Sequence, residues 1–265
     1  MAPSIFHPRE FLISLGERFL GMIGLIGGIT TLALRTLSSL FRHKLAVNEF
    51  FYQLVAVGNR SISIVWLIAL FTGMVFSLQL AVGLGRFGLK MYIGQIIGIA
   101  IFRELGPVLT SLMIAARVGS GIAAELGSMV VTEQVLAIEA MGANPIQKLV
   151  VPRLLATLFS ALILTTTANL IGLLGGALIA ISEADVTLQF YFDQIRNTVI
   201  LEDFTSGIVK AGFFGFVIAI IACYHGLTTS GGTEGVGEST TRSVVHASIT
   251  VFILDLFLTK LFLVF

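Results

Sequence analysis

Apolar residues in this chain come in runs long enough to cross a lipid bilayer, and polar positions gather in short stretches between them. A spanning helix needs about 20 mostly apolar residues, and residues 61–85, 105–130, 149–181, 205–225 and 244–265 each reach that length. Residues 10–22 read differently. Glu10, Ser14, Glu17, Arg18 and Gly21 share one side and Phe11, Leu12, Leu15, Phe19 and Met22 the other, which is the pattern of a helix lying in the membrane surface. The next run, 23–40, is interrupted by Gly27, Gly28 and Arg35. It is expected to form a half-buried elbow, with a sixth crossing as the alternative. Residues 92–131 are too long for one ordinary crossing, and Arg103-Glu104-Leu105-Gly106-Pro107 is expected to break them, leaving 93–102 as a separate short apolar piece, with a re-entrant path left open. The expected fold is an all-α integral membrane protein. Amphipathic and elbow helices fill residues 1–60, and a five-helix transmembrane domain fills 61–265, with a polar segment at 182–204 that carries its own helix.

The longest polar interruption, residues 125–153, reads ELGSMVVTEQVLAIEAMGANPIQKLVVPR. Thr132 can cap a helix there, and Glu133 sets a carboxylate in the first turn, where the helix dipole favours negative charge. Gly142 followed by Asn144-Pro145 stops it. Residues 133–141 would extend about 14 Å at 1.5 Å per residue, too short to cross a bilayer. Val135, Ala137, Ile138 and Met141 fall on one side, leaving Glu133 and Glu139 to solvent or to a basic partner. Tied at both ends to membrane helices, this element can pass a push from a soluble partner into the membrane.

Small residues recur every fourth position at Ala115, Gly119, Ala123 and Gly127, at Gly172, Gly176 and Ala180, and at Ala211, Gly215, Ala219 and Cys223. Such stripes let helix backbones approach closely in lipid. They are compatible with a compact bundle and with a dimer.

Composition strengthens the membrane reading: 56% of residues are hydrophobic, 12% are charged, and mean hydropathy is +0.98. Soluble domains carry about 25% charged residues. A net charge of +1 without a basic tract gives no basis for nucleic-acid binding. Cys223 is the single cysteine, so neither a disulfide framework nor a cysteine metal site is available. The first apolar stretch has no small-residue cleavage pattern and is not read as a removable signal. Basic residues orient the chain. Arg9, Arg18, Arg35, Arg42, Lys44 and Arg60 precede the first full span, Lys148 and Arg153 sit in the 125–153 loop, and Arg242 flanks the last loop. Arg86, Lys90, Arg103 and Arg196 fall on the other side. This places the N-terminus and residues 125–153 in the cytoplasm and, with five crossings, Phe265 outside.

Candidate chemistry is sparse. Residues 231–239, GGTEGVGES, approach the phosphate-binding pattern G-x-x-x-x-G-K-[ST], but Glu238 stands where the lysine belongs, and the run follows a membrane helix instead of a strand. It is read as a tight turn. Arg103 and Glu104 admit two readings: an interfacial pair at a helix start, or a cation facing an anionic head group with Glu104 orienting it. Pairing between helices is expected for the membrane charges Arg117, Lys210, Asp255 and Lys260, with Lys210 and Asp255 as partners. His225 and His246 lack a carboxylate or cysteine at ligand spacing, so no metal site is expected. No Ser-His-Asp or Cys-His arrangement can be placed at one depth, so no enzyme activity is expected. A secondary transporter or channel using Arg103, Glu104, Lys210 and Asp255 as an ion path is the alternative of another class, although no internal repeat supports it.

Four segments carry a resemblance to a known family: RELGPVLTSLMIAARVGSGIAAELGSM from Arg103, TEQVLAIEAMGANP from Thr132, VPR from Val151 and GTEGVG from Gly232. Together they resemble the MlaE/YrbE permeases, membrane subunits of ABC transporters that work with MCE-domain proteins in lipid trafficking. The match is densest between Arg103 and Arg153. The family often has a basic residue where this chain has Glu238.

The resemblance implies a homodimer in a Gram-negative inner membrane, moving phospholipid to or from a periplasmic MCE-domain ring and so maintaining outer-membrane lipid asymmetry. It implies two ABC ATPase subunits bearing a STAS-domain protein, with ATP and Mg in the ATPases and no cofactor in this chain. Thr132, Glu133, Gln134, Ala137, Glu139, Met141, Gly142, Pro145 and Arg153 would then couple to the ATPase. Arg103, Glu104 and Gln79 would line a lipid pocket, and Gly235 and Gly237 would make a cytoplasmic loop contact.

Overall fold

The computed structural model describes the backbone of residues 8–42 and 47–264. The side chains of residues 8–15, Arg18 and Arg42, and all of Lys44 and Phe265, lie outside the described set, and with them most of the amphipathic pattern at 10–22 and the position of the C-terminal residue. Among the described residues there is no strand. The helices are α1 (Pro8–Arg42), α2 (Val47–Gly85), α3 (Ile93–Ala100), α4 (Gly106–Ile114), α5 (Ser120–Val131), α6 (Gln134–Ala140), α7 (Val151–Ala184), α8 (Leu188–Thr198), α9 (Leu201–Leu227) and α10 (Gly232–Val264).

Among the described residues six stretches are long and apolar enough to cross a membrane: Phe19–Phe41, Val47–Gly85, Lys90–Val131, Ile146–Ala184, Leu201–Leu227 and Gly232–Val264. The first of these covers the segment expected as an elbow, and by length and composition it also suits the sixth crossing held as the alternative. α1 is one unbroken helix of 35 residues, about 52 Å at 1.5 Å per residue. Its glycine pair does not break it; Gly28 instead leaves room for the Tyr224 ring of α9. α2 likewise runs through residue 60, where a domain boundary was expected.

Residues 93–131 also stay continuous, contrary to the break expected at Arg103–Pro107. A π-turn at Ile101–Leu105 joins α3 to α4, and a second at Ala115–Gly119 joins α4 to α5. The extra residue in the first turn lets the Gly106 N–H reach the Ile101 carbonyl, five residues back. Pro107 follows directly, so its missing N–H and ring are absorbed where the helix is already widened. Residues 93–102 are therefore the first turns of a membrane helix and not a separate re-entrant piece.

α7 and α9 form the centre. About two-thirds of the most apolar part of each is buried, 67% and 61%, against 11% for α1 and α10, which lie at the periphery. Close crossings depend on glycine. A methyl group on Gly73 of α2 would overlap the Gly172 carbonyl of α7, and one on Gly175 of α7 would overlap the Leu70 carbonyl of α2. The predicted stripes serve the same purpose: Gly215 meets Ala161 and Thr157, and Gly226 meets the Ala123 backbone.

The chain thereby acquires two distinct ends. α6 and the α9–α10 turn share one, where Gly127 packs on Thr229. The α2–α3 turn and α8 share the other, where Lys90 donates to the Glu183 carbonyl at 3.0 Å. α8 is pinned there by Tyr191, fully buried against α3 and α7, whose hydroxyl donates to the Leu173 carbonyl at 3.2 Å. Burial holds that hydroxyl above the usual phenol range, so it stays a donor. Tyr191→Phe removes one buried hydrogen bond and should cost about 1 kcal/mol, read as a small fall in the unfolding midpoint in detergent with the helical content unchanged.

Candidate functional site

The short helix α6 sits between α5 and α7. Its start differs from the expected cap: Glu133 occupies the N-cap position in the left-handed region, φ 59°. Thr132 closes α5 by donating to the Ser128 carbonyl at 2.8 Å and accepts from the Gln134 amide at 3.1 Å. The helix covers only seven residues, about 10 Å. Its end is the expected glycine stop. Gly142, φ 77°, donates to the Glu139 carbonyl at 2.8 Å while Ala143 donates to Ile138 at 3.1 Å, the paired bonds of a Schellman motif. Asn144 then accepts from the Ile146 N–H at 3.0 Å and opens the next helical stretch at Pro145.

The buried face of α6 is narrower than the sequence suggests. Ile138 is buried and Val135 partly so, whereas Ala137, Glu139, Leu136 and Met141 are exposed. Only positions i and i+3 point inward, because a helix this short rests on its neighbours by one stripe. Leu136 and Met141 therefore stand out with Gln134 and Glu139 as a mixed apolar and acidic surface. Arg153 holds the seat rigid. Its guanidinium, 5% exposed, donates to the Leu149 carbonyl and to Glu125 of α5, each at 2.7 Å, so α5 and α7 are clamped beneath α6.

At the opposite end, Arg103 and Glu104 project from the π-turn into a network of charges. Pro107 cannot donate to the Arg103 carbonyl one helical turn back, and Lys210 Nζ of α9 donates to that carbonyl instead, at 3.1 Å. The same ammonium, 2% exposed, binds Glu104 at 2.7 Å, Asp255 at 3.0 Å and Thr259 at 2.7 Å. The expected Lys210–Asp255 pair is thus one arm of a larger hub. Arg103 Nε donates to Asp203, whose other oxygen accepts the Ile200 N–H at 3.0 Å and caps α9. Two cations face three carboxylates, leaving the cluster with one net negative charge. Arg103, Glu104 and Lys210 line a cavity of about 430 Å³ whose other walls include Thr205, Val209 and Phe262. Polar floor and apolar wall together suit an amphiphile.

The other sequence candidates fall elsewhere. Gln79 lies exposed on α2 and does not line this cavity. Residues 231–239 are mostly not a loop: only Gly231 and Gly232 carry positive φ, 89° and 70°, and α10 begins at Gly232. Gly235 packs on the Ser230 carbonyl and Gly237 is open; both border a shallow cleft with Glu234 and Glu238 at the α6 end. Arg117 and Lys260 make no ion pair among the described residues, unlike the interhelical pairing expected of them. His225 and His246 bond each other, Nε2 to Nδ1 at 2.8 Å, and tie α9 to α10.

Sequence reasoning missed Asp203, Thr259 and Asn169. Thr259 lies one turn beyond Asp255 on the same helix face, a spacing that could have been found. Asn169 could not: its fully buried amide fits against Gly106 because that residue has no Cβ, and it has no hydrogen-bond partner among the described residues.

Comparison with known proteins adds an independent line. The family described as Permease MlaE matches residues 50–261. A probable ABC transporter permease protein of Rickettsia felis is 36% identical over 249 residues, 94% of this chain and 96% of that protein. A probable ABC transporter permease of Synechocystis is 41% identical over 209 residues, 79% of this chain and 80% of its own length. The intermembrane phospholipid transport system permease protein MlaE of Haemophilus influenzae is 36% identical over 210 residues, covering 79% and 80%.

Proposed function

This chain belongs to the MlaE permease family, and from that premise we propose that it moves phospholipid between its own membrane and a periplasmic MCE-domain ring. It is a multi-pass membrane protein and the permease of an ABC transporter. In the proposed assembly two copies form the core in a Gram-negative inner membrane, with the N-terminus and α6 facing the cytoplasm. ABC ATPases carrying a STAS-domain protein hold the ATP and Mg there, and the result is maintenance of outer-membrane lipid asymmetry.

The observation that carries this reading is the unbroken helical run from Ile93 to Val131. It joins the α6 seat at one end to Arg103 and Glu104 at the other. A push on Leu136, Glu139 and Met141 is resisted by the Arg153–Glu125 clamp and so moves α5 and α7 as a unit. That motion changes the width of the 430 Å³ cavity, and a lipid head group held there is drawn in or expelled. Rocking of rigid helices about a fixed site is a general transporter pattern. An ion path is disfavoured because Lys210, Glu104 and Asp255 are already engaged with one another as ion pairs.

The test is Glu139→Lys. Reversing one charge in a docking surface should weaken the ATPase contact by about tenfold, roughly 1.4 kcal/mol, and reduce ATP-dependent lipid transfer in proteoliposomes while the chain still inserts in the membrane. Transfer at the unaltered rate would remove α6 from the coupling path.

A further inference from the structure

A second polar cavity lies away from the Arg103 pocket, where the last third of α1 passes beside α6. It is a cleft of about 780 Å³ open to the surface. On the α1 wall, Arg35 and Ser38 are exposed, and the Ser39 hydroxyl is buried with no hydrogen-bond partner although its residue is only 7% exposed. On the other wall stand Glu139 of α6 and Asn144, whose side-chain oxygen is occupied by the Ile146 N–H, leaving its amide N–H groups to donate. Arg35 and Glu139 both border the cleft, yet no ion pair joins them, and neither side chain has a hydrogen bond among the described residues.

This is an unusual inventory for the flank of a membrane helix. A guanidinium, a buried hydroxyl and an amide border one cleft as donors, and an unpaired buried hydroxyl is costly unless a ligand or water meets it. Arginine in a lipid-facing segment ordinarily reaches a phosphate at the interface. The surrounding surface is apolar: Leu34 and Phe41 are 63% and 85% exposed on the same helix. The carboxylate decides which phosphate. A head group with net negative charge would place its charge against Glu139, whereas a head group carrying an ammonium beyond its phosphate satisfies both walls at once.

We propose that this cleft binds the head group of a zwitterionic amino-phospholipid from the leaflet at the α6 end. The phosphate lies on Arg35, Ser39 and Asn144, and the ammonium on Glu139. Such a lipid is a resident ligand joining α1 to α6, distinct from cargo in the Arg103 cavity. The site is formed by one chain, and its test uses neither an ATPase nor a periplasmic partner. Glu139 is shared with the α6 surface proposed to meet the ATPase; Arg35, which is not, separates the two readings.

Replacing Ser38 by the photoreactive residue benzoylphenylalanine puts a cross-linker at the mouth of the cleft. The full chain, in nanodiscs of equal phosphatidylethanolamine and phosphatidylglycerol, is irradiated and its lipid adducts identified by mass spectrometry. Phosphatidylethanolamine adducts should exceed phosphatidylglycerol adducts several-fold. Arg35→Gln should lower the total yield several-fold with Arg35→Lys restoring much of it, and Glu139→Gln should keep the yield but erase the preference. Equal capture of the two lipids, no lipid adduct, or a yield unchanged in Arg35→Gln would overturn the site. So would displacement of the lipid by soluble phosphoethanolamine, which would assign the cleft to a free phosphate ester.

Discussion

Lys210→Ala should prevent the chain from accumulating as a folded membrane protein. The ammonium is the common partner of Glu104, Asp255, Thr259 and the carbonyl that Pro107 leaves without a donor. Removing one member of a buried ionic group typically costs about 3–5 kcal/mol, because the remaining charges stay buried without compensation. Here two carboxylates, 37% and 21% exposed, are left facing each other with partial access to water, so the loss should sit at the lower part of that range. The measurement is the thermal unfolding midpoint in mild detergent, with the yield of monodisperse protein alongside. Lys210→Met keeps the volume and removes only the charge, and it should be nearly as damaging. The triple variant Lys210→Met, Glu104→Gln, Asp255→Asn removes the whole set and should recover much of the stability, since a neutral hydrogen-bonded group need not be worse than an ion cluster. If Lys210→Met alone folds normally, the hub is dispensable for the bundle.

The second large effect is expected at Gly175→Leu. The Cα of this residue rests against the Leu70 carbonyl, and Gly73 makes the reciprocal contact with Gly172. Even a methyl group would overlap the facing backbone, which cannot move aside as a side chain can. Overpacking of a close-packed core costs about 1–3 kcal/mol when neighbours can shift; a backbone crossing cannot, so this substitution should separate α2 from α7 and exceed that range. Gly237→Ala is the internal control. It lies in the first turns of α10 with nothing within 4 Å of a new Cβ and should be neutral, or stabilising by up to about 1 kcal/mol. Comparing the two unfolding midpoints separates glycine used for contact from glycine merely tolerated.

Much of the architecture is legible along the chain because lipid imposes one rule: a backbone that leaves water must be helical. Apolar runs therefore announce helices, and the stripes from Ala115, Gly172 and Ala211 announce which faces touch. The stop at Gly142 is equally local, since a left-handed residue is needed there and glycine supplies it at no steric cost. The errors share a cause. Gly27-Gly28, Arg103–Pro107 and the glycines after Gly231 carry breaker signals, yet the helices persist or begin there. At Pro107 a π-turn and a lysine from α9 absorb the defect, and neither can be seen from the proline itself.

The sequence alone therefore determined what is local or compositional: membrane residence, helical class, the short transverse helix with its glycine stop, and the pairing of Lys210 with Asp255. Only the tertiary structure decided which charges meet. Arg103 and Asp203 are a hundred positions apart, and Glu104 and Thr259 are farther still, so nothing in their spacing declares the contact. The same holds for the cleft between Arg35 and Glu139, whose chemistry exists because α1 returns beside α6. Hydrophobic periodicity fixes which face of a helix is hidden, but the partners of a buried charge depend on how the helices are arranged around it.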